Sequence, residues 1–184
     1  MRARIPVWFG TARPPFVPAT LHWHVTESRA TVNFVVDTGA FDMILSEDDA
    51  EDLGVDMGRL RPSKTPIGVI GGTVPSYDLH GISVAFTCDK GRTHTFGLRC
   101  MRVMANKSGR RGGPGGEEAC SLLGRRFLHD NDFSLHWEFG KEKAHLGAPD
   151  RHGQETKGDF IPWETAYAAT ERALKRTRVR NRRA

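Results

Sequence analysis

An apolar segment that runs directly into a tight polar turn is the feature that most constrains the fold of this chain. Residues 30–36 (Ala-Thr-Val-Asn-Phe-Val-Val) are rich in β-branched and aromatic side chains, which is typical of a buried strand. Asp37-Thr38-Gly39-Ala40 follows without a spacer. We therefore expect a carboxylate fixed at the exit of a strand, in a turn where Gly39 allows other groups to approach closely.

Alternating apolar segments elsewhere predict an all-β protein with one or two short helices. A first helix is predicted over 47–53, with Ser46 as its N-cap and Gly54 as its stop signal. A second short helix is predicted from residue 125 to about 130. The predicted strands cover 16–23, 30–36, 82–88, 93–104, 133–139 and 143–146, with a short apolar segment at 43–45 and a glycine-tipped hairpin over 66–74.

The chain is predicted to contain one folded domain, residues 1–147, and a polar extension, residues 148–184. A helix over 163–176 is expected within the extension. Residues 171–184 hold seven basic side chains and one acidic side chain, a net charge of +6. Since the net charge of the whole chain is +5, the remainder of the chain carries −1. Such a tail can contact nucleic acid weakly or be a solvated end, and both readings stay open.

Composition and cysteine content favour a reducing compartment. The chain has an odd number of cysteines, and their spacing matches no metal-binding pattern. We therefore expect free thiols at Cys88, Cys100 and Cys120. The sequence has neither an apolar run long enough to cross a bilayer nor the pattern of a secretion signal. We expect a cytoplasmic location and no membrane partner.

A second motif gives weight to the Asp-Thr-Gly triplet, which alone is weak evidence. About 30 residues after the triplet comes the glycine-rich hairpin, and about 50 residues later comes Leu122-Leu123-Gly124, followed by Arg125. Two aspartates that share one proton can hydrolyse an amide, because one activates water while the other donates to the carbonyl. The sequence holds one Asp-Thr-Gly and no Asp-Ser-Gly, which is half of such a site.

With these motifs in this order, residues 16–146 resemble the retropepsin-like (retroviral-type) aspartic proteases, in their cellular and prokaryotic branch. Asp37-Thr38-Gly39-Ala40 looks like the family's catalytic loop, with Asp37 as the catalytic residue. The other resemblances are to the flap tip, at Ile70, Gly71 and Gly72, and to the second signature beneath the loop, at Leu122, Leu123, Gly124 and Arg125.

The resemblance implies a closed, barrel-like acid-protease domain and an aspartic endopeptidase that is active as a homodimer. Each chain would contribute Asp37 to a shared dyad, and an extended peptide would lie between that floor and the flaps. No metal and no other cofactor is implied.

The sequence departs from the viral pattern at Phe41, a position where viral enzymes often carry an aspartate that pairs with the arginine after the glycine. Arg125 is expected either to have another partner, such as Asp42, or to lack that network.

Several alternatives stay open at this level. The fold could be catalytically silent and serve for dimerisation or peptide binding, and Asp37-Thr38-Gly39 or Gly71-Gly72 could be ordinary turns. His22 and His24 alternate on a predicted strand and share a face that could hold a metal. Because no third ligand is evident from the sequence, surface histidines are the simpler interpretation.

Overall fold

The structure, a computed structural model, describes residues 3–9, 14–69, 72–105, 119–138, 141 and 143–149. Several predicted features lie outside the described residues: the flap-tip residues Ile70 and Gly71, and residues 150–184 with the predicted helix and the basic tail. The boundary after residue 147 stays a prediction.

The described residues form a mostly β structure with two short helices. In chain order the strands are β1 (Ala3–Val7), β2 (Phe16–Trp23), β3 (Ser28–Asp37), β4 (Ile44–Ser46), β5 (Arg61–Pro62), β6 (Ile67–Val69), β7 (Gly72–Val74), β8 (Ser76–Leu79), β9 (Ile82–Thr87), β10 (Thr93–Leu98), β11 (Met101–Met104), β12 (Leu122–Gly124), β13 (Ser134–Glu138) and β14 (Lys143–Ala148). The helices are α1 (Glu47–Asp52) and α2 (Arg125–Asp130), and a 3₁₀ turn spans Met57–Arg59. Neither described helix is long and apolar enough to span a bilayer.

The largest sheet has nine strands in the order β10-β9-β2-β3-β12-β4-β11-β8-β5, and it is open. The expectation of a closed barrel is therefore wrong for the described strands. β10 cannot complete a ring at β11, because β4 and β8 already occupy both edges of β11. Closure at β5 would require pairing with a two-residue strand that contains Pro62, which has no backbone N–H to donate.

The predicted strand over 93–104 is two strands, β10 and β11, separated by Arg99 and Cys100. β10 pairs with β9, whereas β11 pairs with β4 and β8 near the opposite edge of the sheet. Since two residues bridge at most about 11 Å between flanking Cα atoms, the sheet curls until its first edge approaches β11. The curl gives barrel-like curvature without hydrogen-bonded closure.

A strand that the sequence pattern did not predict, β1, pairs antiparallel with β14, and β14 also pairs with β13. This three-stranded sheet joins the first described residues to the last described strand. Ile5 and Val7 alternate inward from β1, and Leu146 faces the same core from β14. The chain ends of the folded part are thus held by pairing within one copy.

One main hydrophobic core lies inside the curled sheet and includes Leu21, Phe34, Leu45 and Leu123, each with no exposed surface. α2 packs its buried residues against it. The rings around this contact have centroids 5.4–6.2 Å apart, a range typical of edge-to-face and tilted pairs; they belong to Phe86, Phe96, Phe127 and Phe133.

The predicted capping of α1 is confirmed. Ser46 is the N-cap, and its hydroxyl accepts a hydrogen bond from the Asp49 backbone N–H at 3.1 Å. Gly54 follows the helix with φ +82°, a conformation that suits glycine and ends the helix. Buried Ser121 ties this cap to the segment before β12, because the Ser46 N–H donates to its Oγ at 2.9 Å and that Oγ donates to the Asp49 carboxylate.

Candidate active site

Asp37 is the last residue of β3, and the sheet places the second motif directly beside it. β12 pairs parallel with β3, so that Leu122 is opposite Val35 and Gly124 is opposite Asp37. The two motifs are far apart in sequence, yet they lie on neighbouring strands with their ends in register. The two motifs that the sequence analysis linked, Asp-Thr-Gly and Leu-Leu-Gly, are therefore neighbours in the structure.

The Asp37 carboxylate is half-buried and held by its own turn. The Gly39 N–H donates to Asp37 Oδ1 at 2.8 Å, and the Ala40 N–H donates to the Asp37 carbonyl at 3.2 Å. A Cβ added at Gly39 would lie 3.0 Å from Oδ1, which is tighter than ordinary contact. Glycine at this position therefore allows the N–H to point at the carboxylate without crowding it. Thr38 is exposed beside it.

Gly124 is buried against the backbone of the segment that follows the turn. A Cβ added there would lie 2.2 Å from the Asp42 carbonyl oxygen and 2.9 Å from the Phe41 carbonyl oxygen. Both atoms belong to the backbone and cannot swing away as a side chain would. Only glycine lets β12 lie this close to the turn, which gives a physical reason for the glycine in the second motif.

The first turn of α2 continues this support. The Arg125 N–H donates to the Ala40 carbonyl at 2.9 Å, and the Arg126 N–H donates to the Phe41 carbonyl at 3.0 Å. These two N–H groups would otherwise lack intrahelical acceptors at the start of a helix. Residues 37–42, here called the Asp37 loop, are therefore held by hydrogen bonds from their own turn and from α2.

Asp42 is paired with arginines other than the one suggested by the sequence. Its carboxylate lies 3.6 Å from Arg102 Nη1 and 3.6 Å from Arg126 Nη1. Arg125 instead places its guanidinium 5.5 Å from the centre of the Phe41 ring, and Arg126 lies at the same distance. The suggested Arg125–Asp42 pair is thus not formed, and Phe41 provides an aromatic face for both cations.

The two leucines of the second motif face different parts of the structure. Leu123 is fully buried in the main core. Half-buried Leu122 packs on a small cluster formed by Ile44, Ile67 and Val74. Since Ile67 and Val74 are the paired outer residues of the β6–β7 hairpin, the base of this hairpin is anchored to the strands of the floor. Gly72, the predicted flap residue that is described, is exposed and has φ +144°.

Cys100 lies in a shallow depression behind the Asp37 loop, with Asp42, Arg102 and Arg126 among the lining residues. Burial is the main cause that raises the pKa of its thiol to about 12, and the nearby Asp78 carboxylate adds to the shift. The thiol is therefore protonated near neutral pH, which removes it as a nucleophile in this region.

Arg102 is a component of the region that sequence reasoning missed. Its guanidinium contacts Asp42, the Ser76 hydroxyl at 2.6 Å and the Thr65 carbonyl. It thereby connects the Asp37 loop to β8 and to the chain leading into β6. No local pattern marks this arginine, because its partners lie far away in the sequence.

The comparison with protein families agrees with the motif. Residues 24–97 match the model of a family described as aspartyl protease, a segment that contains the Asp37 loop and the β6–β7 hairpin. A retropepsin-like aspartic protease from Rickettsia conorii is similar in structure, with 20% identity, a TM-score of 0.49, and coverage of 80% of this chain and 92% of that chain. The EIAV protease complexed with the inhibitor HBY-793 shows 22% identity, a TM-score of 0.39, and coverage of 67% and 92%. The search of curated proteins found no match.

The family match over residues 24–97 confirms the resemblance to aspartic proteases that the sequence motifs indicate.

Proposed function

We propose that this protein is an aspartic endopeptidase, active as a homodimer, in which Asp37 of each copy forms one catalytic dyad. The observation that carries the proposal is the geometry of Asp37. A half-buried carboxylate stands at the exit of a central strand, with one oxygen held by the Gly39 N–H at 2.8 Å. The aspartyl protease family match includes this loop.

The need for a second copy follows from the chemistry. Hydrolysis of an amide by this route requires two carboxylates close enough to share one proton, and the sequence contains one Asp-Thr-Gly. A twofold axis beside Asp37 would supply the second carboxylate with the same geometry.

The reaction then balances with water as the only co-reactant. The ionised carboxylate takes a proton from water while its oxygen attacks the scissile carbonyl carbon, and the protonated carboxyl donates its proton to the carbonyl oxygen. The tetrahedral intermediate collapses as the C–N bond breaks. The leaving nitrogen takes the proton that the first carboxylate received from water, and a hydroxyl of the intermediate returns a proton to the second carboxylate. Each chain contributes one carboxylate, and the Gly39 N–H holds one of its oxygens.

The β6–β7 hairpin is proposed to cover the substrate, with Ile70, Gly71 and Gly72 as the flap tip. Its base packs through Ile67 and Val74 on Ile44 and Leu122 of the floor. This packing anchors the base of the hairpin to the floor. An extended peptide would then pair with strand edges between flap and floor.

The test is peptide cleavage by wild type, Asp37→Asn and the control Asp89→Asn, which changes an exposed aspartate in the β9–β10 turn. Cleavage of a diverse peptide library is read by mass spectrometry, with a transition-state mimic of the pepstatin type as inhibitor. We expect Asp37→Asn to lower cleavage by about a thousandfold or more and to remain dimeric by sedimentation, while Asp89→Asn behaves as wild type.

Cleavage by Asp37→Asn at the wild-type rate would contradict the proposal. Binding of library peptides without cleavage by wild type would favour instead the silent, peptide-binding alternative. Activity should also fall at alkaline pH, once the dyad loses its shared proton, and a flat rate from about pH 4 to 9 would count against it.

A further inference from the structure

At the turn between β2 and β3, the structure brings together two imidazoles and one carboxylate. His22 Nε2 lies 3.0 Å from Glu27 Oε2, and the His22 and His24 ring centroids are 3.9 Å apart. One ligand atom from each of the three residues lies within 4.8 Å of the others. Glu27 is thus a third candidate ligand, which the sequence did not reveal.

The backbone of the turn accounts for this convergence. His22 and His24 are two residues apart and share a face of the chain as it leaves β2. Glu27 has φ +57°, a left-handed backbone conformation that residues other than glycine rarely adopt. This turn carries the Glu27 side chain back to His22. A non-glycine residue in such a conformation points to a local role for its side chain.

His24 is not the surface histidine that the sequence suggested. His24 is only 8% exposed, and its Nε2 lies 3.0 Å from the Ser83 hydroxyl of β9. Histidines that bind metals usually hydrogen-bond through their other ring nitrogen to a neighbouring polar group, which fixes ring orientation and tautomer. Ser83 is placed to do this for His24.

We propose that His22, His24 and Glu27 form a binding site for a divalent transition-metal ion, with Zn²⁺ as the expected occupant. Two imidazole nitrogens and one carboxylate oxygen suit Zn²⁺ rather than Mg²⁺ or Ca²⁺, which prefer oxygen ligands. Two ligands on a tetrahedral zinc are about 3.4 Å apart, so the His22–Glu27 separation needs only a small adjustment. Water would occupy the remaining coordination position.

The site is independent of the proposed protease chemistry. β3 begins at Ser28, next to Glu27, and ends at Asp37, so about 30 Å of extended strand separates the two. Zinc would cross-link the β2–β3 turn and, through Ser83, fix it to β9. Its effect would be on the stability of this end of the sheet, and Asp37→Asn should bind zinc as wild type does.

The test is zinc titration by calorimetry at pH 7.5, using full-length protein freed of any polyhistidine tag. We expect one Zn²⁺ per chain in wild type. Since loss of an outer-shell partner already weakens metal binding by 10- to 100-fold, His22→Ala and Glu27→Gln should weaken it by at least about tenfold. Ser83→Ala should lower the affinity by a smaller factor.

The matched control is His129→Ala. His129 also pairs with a carboxylate, Asp130 at 3.1 Å, but its side chain is 88% exposed. This variant should bind zinc as wild type does. Co²⁺ provides a spectroscopic check, because visible absorption from a low-symmetry site should appear in wild type and be lost in His22→Ala. Zinc should also raise the melting temperature of wild type and not of His22→Ala.

Absence of zinc binding by wild type would overturn the proposal, as would equal affinities in wild type, His22→Ala and Glu27→Gln. A second cluster, Asp78, His80 and Cys100, also brings ligand atoms within 4.8 Å. Zinc affinity that is lost in Cys100→Ser but kept in His22→Ala would assign the ion to that cluster and contradict the assignment to the β2–β3 turn.

Discussion

The two ends of β3 carry candidate functional groups that differ in how many copies of the chain they involve. At one end Asp37 stands as a single carboxylate that accepts a hydrogen bond from the Gly39 N–H, and Gly124 lets β12 lie close to the Asp37 loop. At the other end His22, His24 and Glu27 converge within one chain. The first arrangement holds one carboxylate, so the proposed protease chemistry would need a partner copy to supply the second. The second can bind an ion without one.

The source of rigidity differs as well. The Asp37 loop is supported by long-range contacts from β12, α2 and Arg102. The turn between β2 and β3 combines a left-handed backbone conformation at Glu27 with contacts of His24 to the chain around β9: its N–H donates to the Gly81 carbonyl at 2.8 Å, and its Nε2 lies 3.0 Å from the Ser83 hydroxyl. Substitutions that remove long-range support should therefore cost more than substitutions that alter the turn, and the three predictions below test this order.

Gly124→Ala should have the largest effect. The new Cβ would overlap the Asp42 and Phe41 carbonyl groups, which are backbone atoms that move only if the Asp37 loop moves. Overpacking usually costs 1–3 kcal/mol, and we expect about 3 kcal/mol or more here because no side chain can yield. Denaturant unfolding measures this loss, and peptide cleavage should fall with it.

Gly68→Ala is the control for Gly124→Ala. Gly68 lies in β6, and a Cβ added there would meet nothing within 4 Å. Its free energy of unfolding should stay within about 0.5 kcal/mol of wild type. Equal destabilisation by the two substitutions would show that the close approach at Gly124 does not support the loop.

Ser121→Ala should have an intermediate effect. Removing the hydroxyl leaves the buried Ser46 N–H without its acceptor and takes one donor from the Asp49 carboxylate. A buried polar group left without a partner costs about 1–3 kcal/mol. Urea unfolding should show a lower midpoint with an unchanged slope. Exposed Cys120→Ala is the neighbouring control and should leave the midpoint in place.

The smallest effect should be found at Glu27, where Glu27→Gly and Glu27→Ala remove the same carboxylate. The two variants differ in their tolerance of φ +57°. Because a left-handed conformation costs a non-glycine residue about 1–2 kcal/mol, the glycine variant should be more stable than the alanine variant by about 1 kcal/mol. Thermal unfolding without metal measures the difference. A more stable alanine variant would mean that the turn does not hold this conformation.

Sequence patterns predicted the elements whose signals are local. β2 agrees with the prediction over 16–23, and α1 begins after its predicted cap at Ser46. In both cases side chains within a few residues of each other determine the structure, through alternation in the strand and capping in the helix.

The features that sequence patterns did not predict depend on distant partners or on one unusual backbone angle. β1 contains Arg4 and Pro6 and has little strand character until β14 pairs with it. The break at Arg99 and Cys100 reflects a change of sheet neighbours. Asp42 forms an ion pair with Arg102, and Glu27 contacts His22 because of its left-handed backbone conformation. No local pattern contains that information.

The distance between the two Asp37 carboxylates in the assembled protein tests the central proposal most directly. A crystal structure of wild type with a transition-state mimic would measure it. We expect a twofold dimer in which the nearest carboxylate oxygens are about 3 Å apart, the separation at which two carboxyl groups share a proton, with the mimic between them and the β6–β7 hairpins. A monomer, or a dimer that holds the Asp37 carboxylates beyond hydrogen-bond reach, would contradict the shared dyad.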